Sequence, residues 1–384
     1  MKQKTLILGA GSFQKGLISY LKDQGFYTIC VTNKPHEISA LEADKVLDVS
    51  YLEISEVLKI FEQENAAQIF CVASDLALPT QSAVQSHFKL RGLQKEEVDF
   101  FANKWNYKSL LNQTSLAPIT RRVEKMEELA DFLEEVDLII GKPKSGSGSK
   151  GILKISSAEK ADLLPPKKLK EYIFEGYIEG NELGCDLFIL DDTIAYACPT
   201  HKETNTKGVP MGHLILSGLQ NESLLVYLNR LKKALKLNDG FYNLDIMQQG
   251  EQYYLLDISP RLGGNCIPEV IHLGYGVHEY ELLTKWFFQK TISPLTVSFR
   301  KNVGVYIIHS EEKGMLLSKE ENNHPFKKHE VELFWNKRIG DTIEIFDQGA
   351  HHMGYFIFSA NSNEELLELF EEIKSYSWFT LEKH

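Results

Sequence analysis

The chain lacks any Cys-x-x-Cys pair, any excess of basic residues, any internal repeat and any long apolar run, and each gap removes a class of function. A membrane-crossing helix takes roughly 20 consecutive apolar residues, and no stretch here approaches that. The opening MKQKTLILGAGSF places lysines before apolar residues, but its apolar stretch is short and ends in glycines. It reads as a first buried strand rather than a secretory leader. The five cysteines, Cys30, Cys71, Cys185, Cys198 and Cys266, are odd in number and widely spaced. They read as reduced packing thiols of a cytoplasmic protein, not as a disulfide framework. A formal charge of −11 argues against general nucleic-acid binding, which needs a net basic face. An anionic ligand must therefore be gripped by a local cluster of lysine and arginine.

What is present fits a soluble globular protein of two or three domains, with 384 residues of which 43% are hydrophobic and 25% charged. Over residues 1–102, short apolar runs (TLILGAG, YTICVTN, AQIFCVAS) alternate with amphipathic stretches such as QKGLISYLKDQG and ISEVLKIFEQEN. Such alternation predicts right-handed βαβ units and a parallel sheet. From residue 103 the pattern becomes α+β. The helical KWNYKSLLNQT and MEELADFLEEV are followed by strands LIIGKP, GILKIS, EYIFEGYI and CDLFILDDTIAYACP. Then come the helix ESLLVYLNRLKKALKL, two strands GFYNLDIMQ and QYYLLDISP, and the helical IPEVIHLGYGVHEYELLTKWFFQ. Residues 296–384 read as a small α+β module, with strands VGVYIIH, DTIEIF and GYFIFSA and the final helix NEELLELFEEIKSY.

Two glycine loops imitate nucleotide fingerprints. Gly146-x-Gly148-x-x-Gly151 has dinucleotide spacing, but a strand follows it where the fingerprint needs a helix, and Gly151-Ile152 stands where a P-loop needs Gly-Lys-Ser/Thr. What remains is a glycine-rich turn between antiparallel strands, with Lys142, Lys144 and Lys150 around it. The second loop, GAGSFQ at Gly9–Gln14, does join a strand to a helix. It has Gln14 at the third glycine position, and the second strand ends in Thr32-Asn33-Lys34 with no acid for a ribose.

The most informative stretch is FYNLDIMQQGEQYYLLDISPRLGGN, residues 241–265. Side chains alternate faces along a strand, so Leu244 and Ile246, with Tyr254, Leu256 and Ile258, are expected on a buried face. The other face carries Asn243, Asp245, Asp257 and Ser259. Carboxylates facing each other across a strand pair repel unless a cation lies between them. Oxygen ligands with no His or Cys favour Mg²⁺ or Mn²⁺. Arg261, Gly263, Gly264 and Asn265 follow at once and lead into a helix near Pro268, an arrangement suited to an anion.

Taken in order, these residues resemble the ATP-grasp superfamily of carboxylate–amine ligases. The resemblance implies a Rossmann-like domain over 1–102 and an ATP-grasp domain over 103–295, its flap lobe about 113–175 and its metal lobe about 176–295. The α+β module then covers 296–384. It implies a nucleotide-contacting lysine at Lys104 or Lys108 and a strand lysine, Lys142. Residues Ser145, Gly146, Ser147, Gly148 and Gly151 become the flap. The adenine hinge falls at Glu175, Tyr177 and Ile178, with Glu182 on the ribose and Lys202 on a phosphate. The family's metal motif E-x-N-P-R-x-G-G matches DISPRLGG, which makes Asp257 and Ser259 metal ligands beside Asp245, and Arg261 the catalytic arginine. Asp257 replaces the usual glutamate and Ser259 the usual asparagine, which leaves open whether one or two ions bind.

The activity so implied is ATP-dependent amide formation between a carboxylic acid and an amine through an acyl phosphate, with ATP and Mg²⁺ (or Mn²⁺) as cofactors. The implied partners are those two small molecules, with no nucleic acid and no membrane, and the resemblance suggests a homodimer. Two alternatives stand beside it: an NAD-dependent oxidoreductase using Gly9–Gln14, and a non-catalytic nucleotide-binding protein. His351-His352 read as surface or turn residues, His201 and His213 flank a polar loop with two readings, a solvent loop or a lining of the amine or acid pocket, and the substrates have no readable code.

Overall fold

The structure, a computed structural model, describes residues 2–146, 148, 150–157 and 165–382. Strands β1 (Lys4–Leu8), β2 (Tyr27–Thr32), β3 (Lys45–Asp48) and β4 (Gln68–Phe70) form a parallel sheet in the order β3-β2-β1-β4. The first two strands and the last are nearly all buried, as a sheet covered on both faces requires. β3 is absent from the sequence reading. It is four residues long and none of it is buried, so it carries no apolar run. Helices α1 (Lys15–Asp23), α2 (Ile54–Glu64), α3 (Leu78–His87) and α4 (Lys95–Ala102) complete this part.

Helix α5 (Lys104–Leu111) opens at Asn103, whose side-chain oxygen accepts the Trp105 N–H, an N-cap that fixes where the helix begins. A second sheet, order β5-β8-β6-β7, comprises β5 (Thr120–Arg121), β6 (Ile139–Pro143), β7 (Leu153–Ile155) and β8 (Tyr172–Gly176). It packs on α6 (Met126–Glu135) through Leu129 and Phe132, and α7 (Pro166–Glu171) precedes its strand β8.

The largest sheet has eight strands. It takes in β9 (Asn181–Leu190), β10 (Thr193–Thr204), β11 (Pro210–Ile215), β12 (Gly240–Gln249), β13 (Gln252–Ser259), β14 (Asn302–Ile308), β16 (Glu330–Trp335) and β18 (Gly354–Ala360). Their order is β13-β12-β9-β10-β11-β14-β18-β16. Helix α8 (Glu222–Leu235) covers one face through Leu224, Leu228 and Leu231. Helices α9 (Ile267–Tyr275) and α10 (Glu279–Phe287) cover the other together with α1. These two occupy what reads in the sequence as one helical stretch. Gly276, at φ +73°, ends the first of them in the left-handed conformation that glycine adopts at no steric cost.

The strands from 302 onward do not stand apart, because β14 is hydrogen-bonded to β11 from Gly212↔Tyr306 to Ile215↔Val303. Three strands of the last segment therefore extend the large sheet. The remaining ones, β15 (Gly314–Lys319), β17 (Thr342–Ile343) and β19 (Phe379–Glu382), make a small sheet of their own, and α11 (Asn363–Ser375) packs nearby. Among the described residues no helix is long and apolar enough to cross a membrane.

Where the first sheet docks on α9 and α10, a carboxyl is trapped. Glu269 accepts a hydrogen bond from the Tyr280 hydroxyl at 2.7 Å, and burial pushes it up to about 7. Its native form therefore keeps a proton that an unfolded chain releases at an ordinary glutamate pKa of 4.5. That contribution to stability is present at acid pH and declines as the pH rises through 7. Glu269→Gln keeps the acceptor for Tyr280 and removes the titration. The variant is expected to melt higher than wild type at pH 8 and to lose the advantage at pH 5. An unchanged difference across that range contradicts the assignment.

Candidate active site

A cleft of about 2100 Å³ runs between the parallel sheet, the β5-β8-β6-β7 sheet and the eight-stranded sheet. One half is lined by the β6–β7 loop, the chain leaving β8, and the facing sides of β9, β10, β12 and β13. The other is lined by the loops at the C-terminal edge of the first sheet and by residues 336–352. Along its floor, Asp245 and Asp257 are register partners on adjacent strands. The register slips between Asp245 and Ile246, whose partner is Leu255. Leu256 is thus the extra residue of a β-bulge. The bulge shifts the face pattern of β13: Tyr253, Leu255 and Ile258 are buried with Leu244 and Ile246, while Leu256 lines the cleft. The expected burial of Tyr254 and Leu256 on that face is therefore corrected. Strict alternation cannot anticipate one inserted residue.

Each carboxylate already has a cation. Asp257 pairs with Lys104 and accepts the Tyr107 hydroxyl at 2.6 Å. Burial opposes its charge, but Lys104, Tyr107 and Lys142 outweigh that and hold the carboxyl well below the usual range. Asp245 meets Lys202 at 2.9 Å, and Lys202 meets Glu182 at 2.7 Å. Burial pushes Asp245 up against the pull of Lys202, and neighbouring Glu182 and Asp257 add to the rise. The two facing acids are thus driven in opposite directions, as like charges sharing a site must be. Asp245 and Lys202 both line the cleft.

Beneath them lies a third group. Glu175 is fully buried and bridges Lys108 at 2.8 Å and Lys142 at 2.7 Å. The two ammonium groups also donate to the carbonyls of Leu255 (2.6 Å) and Leu256 (3.2 Å) at the bulge. Burial lowers Lys108 to about 8, against the pull of Glu175. Of the two lysines expected near nucleotide on α5, Lys104 lines the cleft and Lys108 is sealed under its floor at 0% exposure. The Glu175 side chain likewise points down into this cluster, so the expected hinge begins with the backbone after it. There the Gly176 and Tyr177 N–H groups donate to Ile119 and Leu138 carbonyls, and Tyr177 and Ile178 line the cleft.

The loop after Lys142 joins antiparallel strands β6 and β7. Gly146, Gly148 and Gly151 there have φ of +128°, +71° and +81°, a region that L side chains rarely adopt. Ser145, Gly146, Gly148 and Gly151 all line the cleft; Ser147 lies outside the described residues. In the other glycine loop, the Gln14 side chain packs against Gly9 and Gly11 and donates to the Val72 carbonyl at 2.8 Å. It fills the space above the turn that a dinucleotide would have to enter.

Arg261 reaches away from the carboxylates. Its Nε and Nη2 donate to the two oxygens of Asp75 at 2.6 and 3.0 Å, and Nη1 donates to the Leu262 carbonyl at 3.0 Å. Asp75 comes from the loop after β4, in the first sheet, and the Ser259 hydroxyl also hydrogen-bonds to it. Ser259, expected as a metal ligand, is therefore engaged with Asp75 and is not among the residues lining the cleft. Ala73, Asn265 and Cys266, all at this junction, have positive φ, strain of the kind that tight surroundings must hold in place. Behind the turn, Asp186 accepts the Gly263 N–H at 2.8 Å and the Asn243 amide at 2.7 Å. Burial pushes its carboxyl up to about 6 beside the buried Glu279. Neither Asp75 nor Asp186 carries a sequence signal, since each is a lone acid at the end or middle of an apolar strand.

The donor set suits a hard divalent ion. Asp245 and Asp257 face each other with no His or Cys between them. Among the described residues no group of three or more such ligands converges, so an ion held here would complete its shell with phosphate oxygens and water.

Residues 101–265 match the ATP-grasp domain family. An uncharacterised protein of Methanocaldococcus jannaschii is 25% identical over 309 residues, 78% of each chain. Two solved structures share the fold over the whole chain. Phosphoribosylglycinamide synthetase from Anaerococcus prevotii matches with a TM-score of 0.77 and 22% identity, covering 100% of both chains. L-amino acid ligase from Bacillus licheniformis matches with a TM-score of 0.81 and 15% identity, covering 100% of this chain and 99% of its own.

Glu175→Gln removes the carboxylate that Lys108 and Lys142 share. Removing one partner of such a pair typically costs about 3–5 kcal/mol, and urea unfolding of the variant is expected to show a loss of that order. A variant as stable as wild type contradicts the placement of Glu175 between Lys108 and Lys142.

Proposed function

Because residues 101–265 match the ATP-grasp domain family, we propose that this chain is an ATP-dependent ligase joining a carboxylic acid to an amine. The observation that carries the reading is the pairing along one cleft of three lysines with the carboxylates Asp245, Asp257, Glu175 and Glu182, beneath a glycine-rich loop. Lysines suit a triphosphate as point charges, and the facing acids suit its divalent ion. Lys104, Lys142 and Lys202 take the phosphates, the loop 145–151 closes over them with its backbone N–H groups, and the chain at Tyr177–Ile178 receives the adenine. Glu182 turns from Lys202 to the ribose hydroxyls. Asp245 and Asp257 hold Mg²⁺, which when bound neutralises charge on the phosphates.

The chemistry then needs placement more than covalent help from the protein. A carboxylate oxygen of the acid attacks the γ-phosphorus, the bond to the β–γ bridging oxygen breaks, and ADP leaves with that electron pair. The amine nitrogen attacks the acyl carbon of the resulting acyl phosphate. The C–O bond to phosphate breaks, and the nitrogen gives its proton to the departing phosphate. Of the five N–H donors of a guanidinium, Arg261 uses three on Asp75 and Leu262. The remaining two serve the charge that develops on the transferring group. Asp75 and the Leu262 carbonyl hold the guanidinium plane, so it needs no reorganisation when that charge appears. The Gln14 side chain over the first glycine loop speaks against the NAD-linked alternative.

Hydroxylamine captures an acyl phosphate as a hydroxamate. With ATP, Mg²⁺ and a panel of amino acids and other small acids, the wild-type protein is expected to form hydroxamate from a restricted subset. Arg261→Lys should lower the yield about 100-fold or more, the order seen when one such donor is lost, and Asp257→Asn, which removes an ion ligand, should lower it as well. ATP binding with no hydroxamate from any acid of a broad panel favours the non-catalytic alternative instead.

A further inference from the structure

The half of the cleft away from the carboxylate floor has an opposite electrical character. The chain as a whole carries 53 acidic against 42 basic residues. Yet this end is lined by Lys34, Lys207, Lys337 and Arg338, contributed by three separate segments. Of its acids, Asp75 pairs with Arg261, Glu203 with His201 at 2.8 Å and Glu37 with Lys34, and the Asp341 carboxylate accepts the Arg338 backbone N–H at 2.8 Å. Lys34 has only a solvent-exposed contact of 3.3 Å with Glu37, a pairing worth little in water. Among the described residues, no ion pair or side-chain hydrogen bond engages the charged ends of Lys207, Lys337 or Arg338. An acidic protein that leaves these cations unpaired along one wall of a deep cleft presents a local field for anions.

A buried histidine stands beside them. His352 is buried, stacked on Phe13 with ring centroids 4.5 Å apart. Its Nδ1–H donates to the Gly349 carbonyl at 2.8 Å, which leaves Nε2 to accept from the Ser12 hydroxyl at 2.8 Å and the Asn336 amide at 3.1 Å. Burial, with Lys337 and Lys34 close by, holds the imidazole down to about 4 despite that carbonyl, so it stays neutral. The ring ties the first glycine loop to the segment bearing Lys337 and Arg338.

We propose that this end of the cleft receives a second anionic group, a carboxylate or a phosphate, of the small molecule that reacts beside Arg261. The substrate is then at least dianionic. One charge reacts at the nucleotide half, and the other is held by Lys337 and Arg338, with Lys34 and Lys207 lining the same cleft. This deepens the ligase reading and rests on it for the direction in which the molecule lies; the anion site itself stands on the unpaired cations.

The test uses the full chain with saturating MgADP, so that the nucleotide half is filled. Inorganic phosphate and glutarate serve as separate probes in titration calorimetry, on wild type and on Lys337→Ala/Arg338→Ala. Both side chains are half-exposed or exposed, so the double variant should fold, and its melting temperature checks that. The expected result is that at least one probe binds wild type and binds the variant at least tenfold more weakly, with ADP affinity within twofold. Which probe responds separates a phosphate from a carboxylate ligand. Equal binding to both proteins, or no binding of either probe to wild type, overturns the inference. Failure of MgADP to bind either protein strikes the ligase reading instead, and the anion comparison still decides this one.

Discussion

Four lysines and four carboxylates share the floor of the cleft: Lys104, Lys108, Lys142 and Lys202 against Glu175, Glu182, Asp245 and Asp257. Bringing so many charges out of water is costly, and attraction between them repays the cost only if every one has a partner. The arrangement meets that condition without any ligand. It also explains how a triphosphate with its metal could enter without leaving an unbalanced charge. The ion takes over the carboxylates and the phosphates take over the lysines that had neutralised them. Two of the lysines also brace the backbone. Lys108 and Lys142 share Glu175 and hold the carbonyls of the bulge, which keeps Asp257 directed at the cleft while Leu256 is displaced from the strand's regular alternation.

That displacement marks how far the sequence could be read. The motif order 142–151, 175–182 and 257–264 was legible because lysine, glycine and carboxylate chemistry is local. The antiparallel setting of the glycine loop followed from the strand after it. The parallel first sheet was legible from β1, β2 and β4, whose apolar runs are unbroken, but not from β3, which is short and only half-buried. The face pattern of β13 went wrong at the one residue that breaks its period. Lys104 and Lys108 are four residues apart on one helix, and only burial separates a cleft lysine from a structural one.

Asp75 lay beyond reach for a different reason. It is 186 residues away from Arg261 in the chain, and nothing near it suggests a partner. Its contact makes the first sheet part of the site rather than an appendage, since the arginine after the carboxylate hairpin is oriented from there. His352 does the same from the last segment by bonding to Ser12. The cleft is therefore assembled from all parts of the chain. Its carboxylate-lined half is electrically closed, whereas its far half carries cations that the protein itself does not satisfy.

The central claim is that phosphates and a divalent ion replace the lysine–carboxylate pairs together. Neither alone restores the balance, because free ATP would face Asp245 and Asp257 unshielded and a lone metal would leave Lys104 without an acid and Lys202 with Glu182 alone. Titration calorimetry of ATP with excess Mg²⁺ and again with EDTA measures this directly. The account predicts affinity at least tenfold higher with the metal, a coupling of about 1.4 kcal/mol or more. Equal affinity in the two conditions would contradict it.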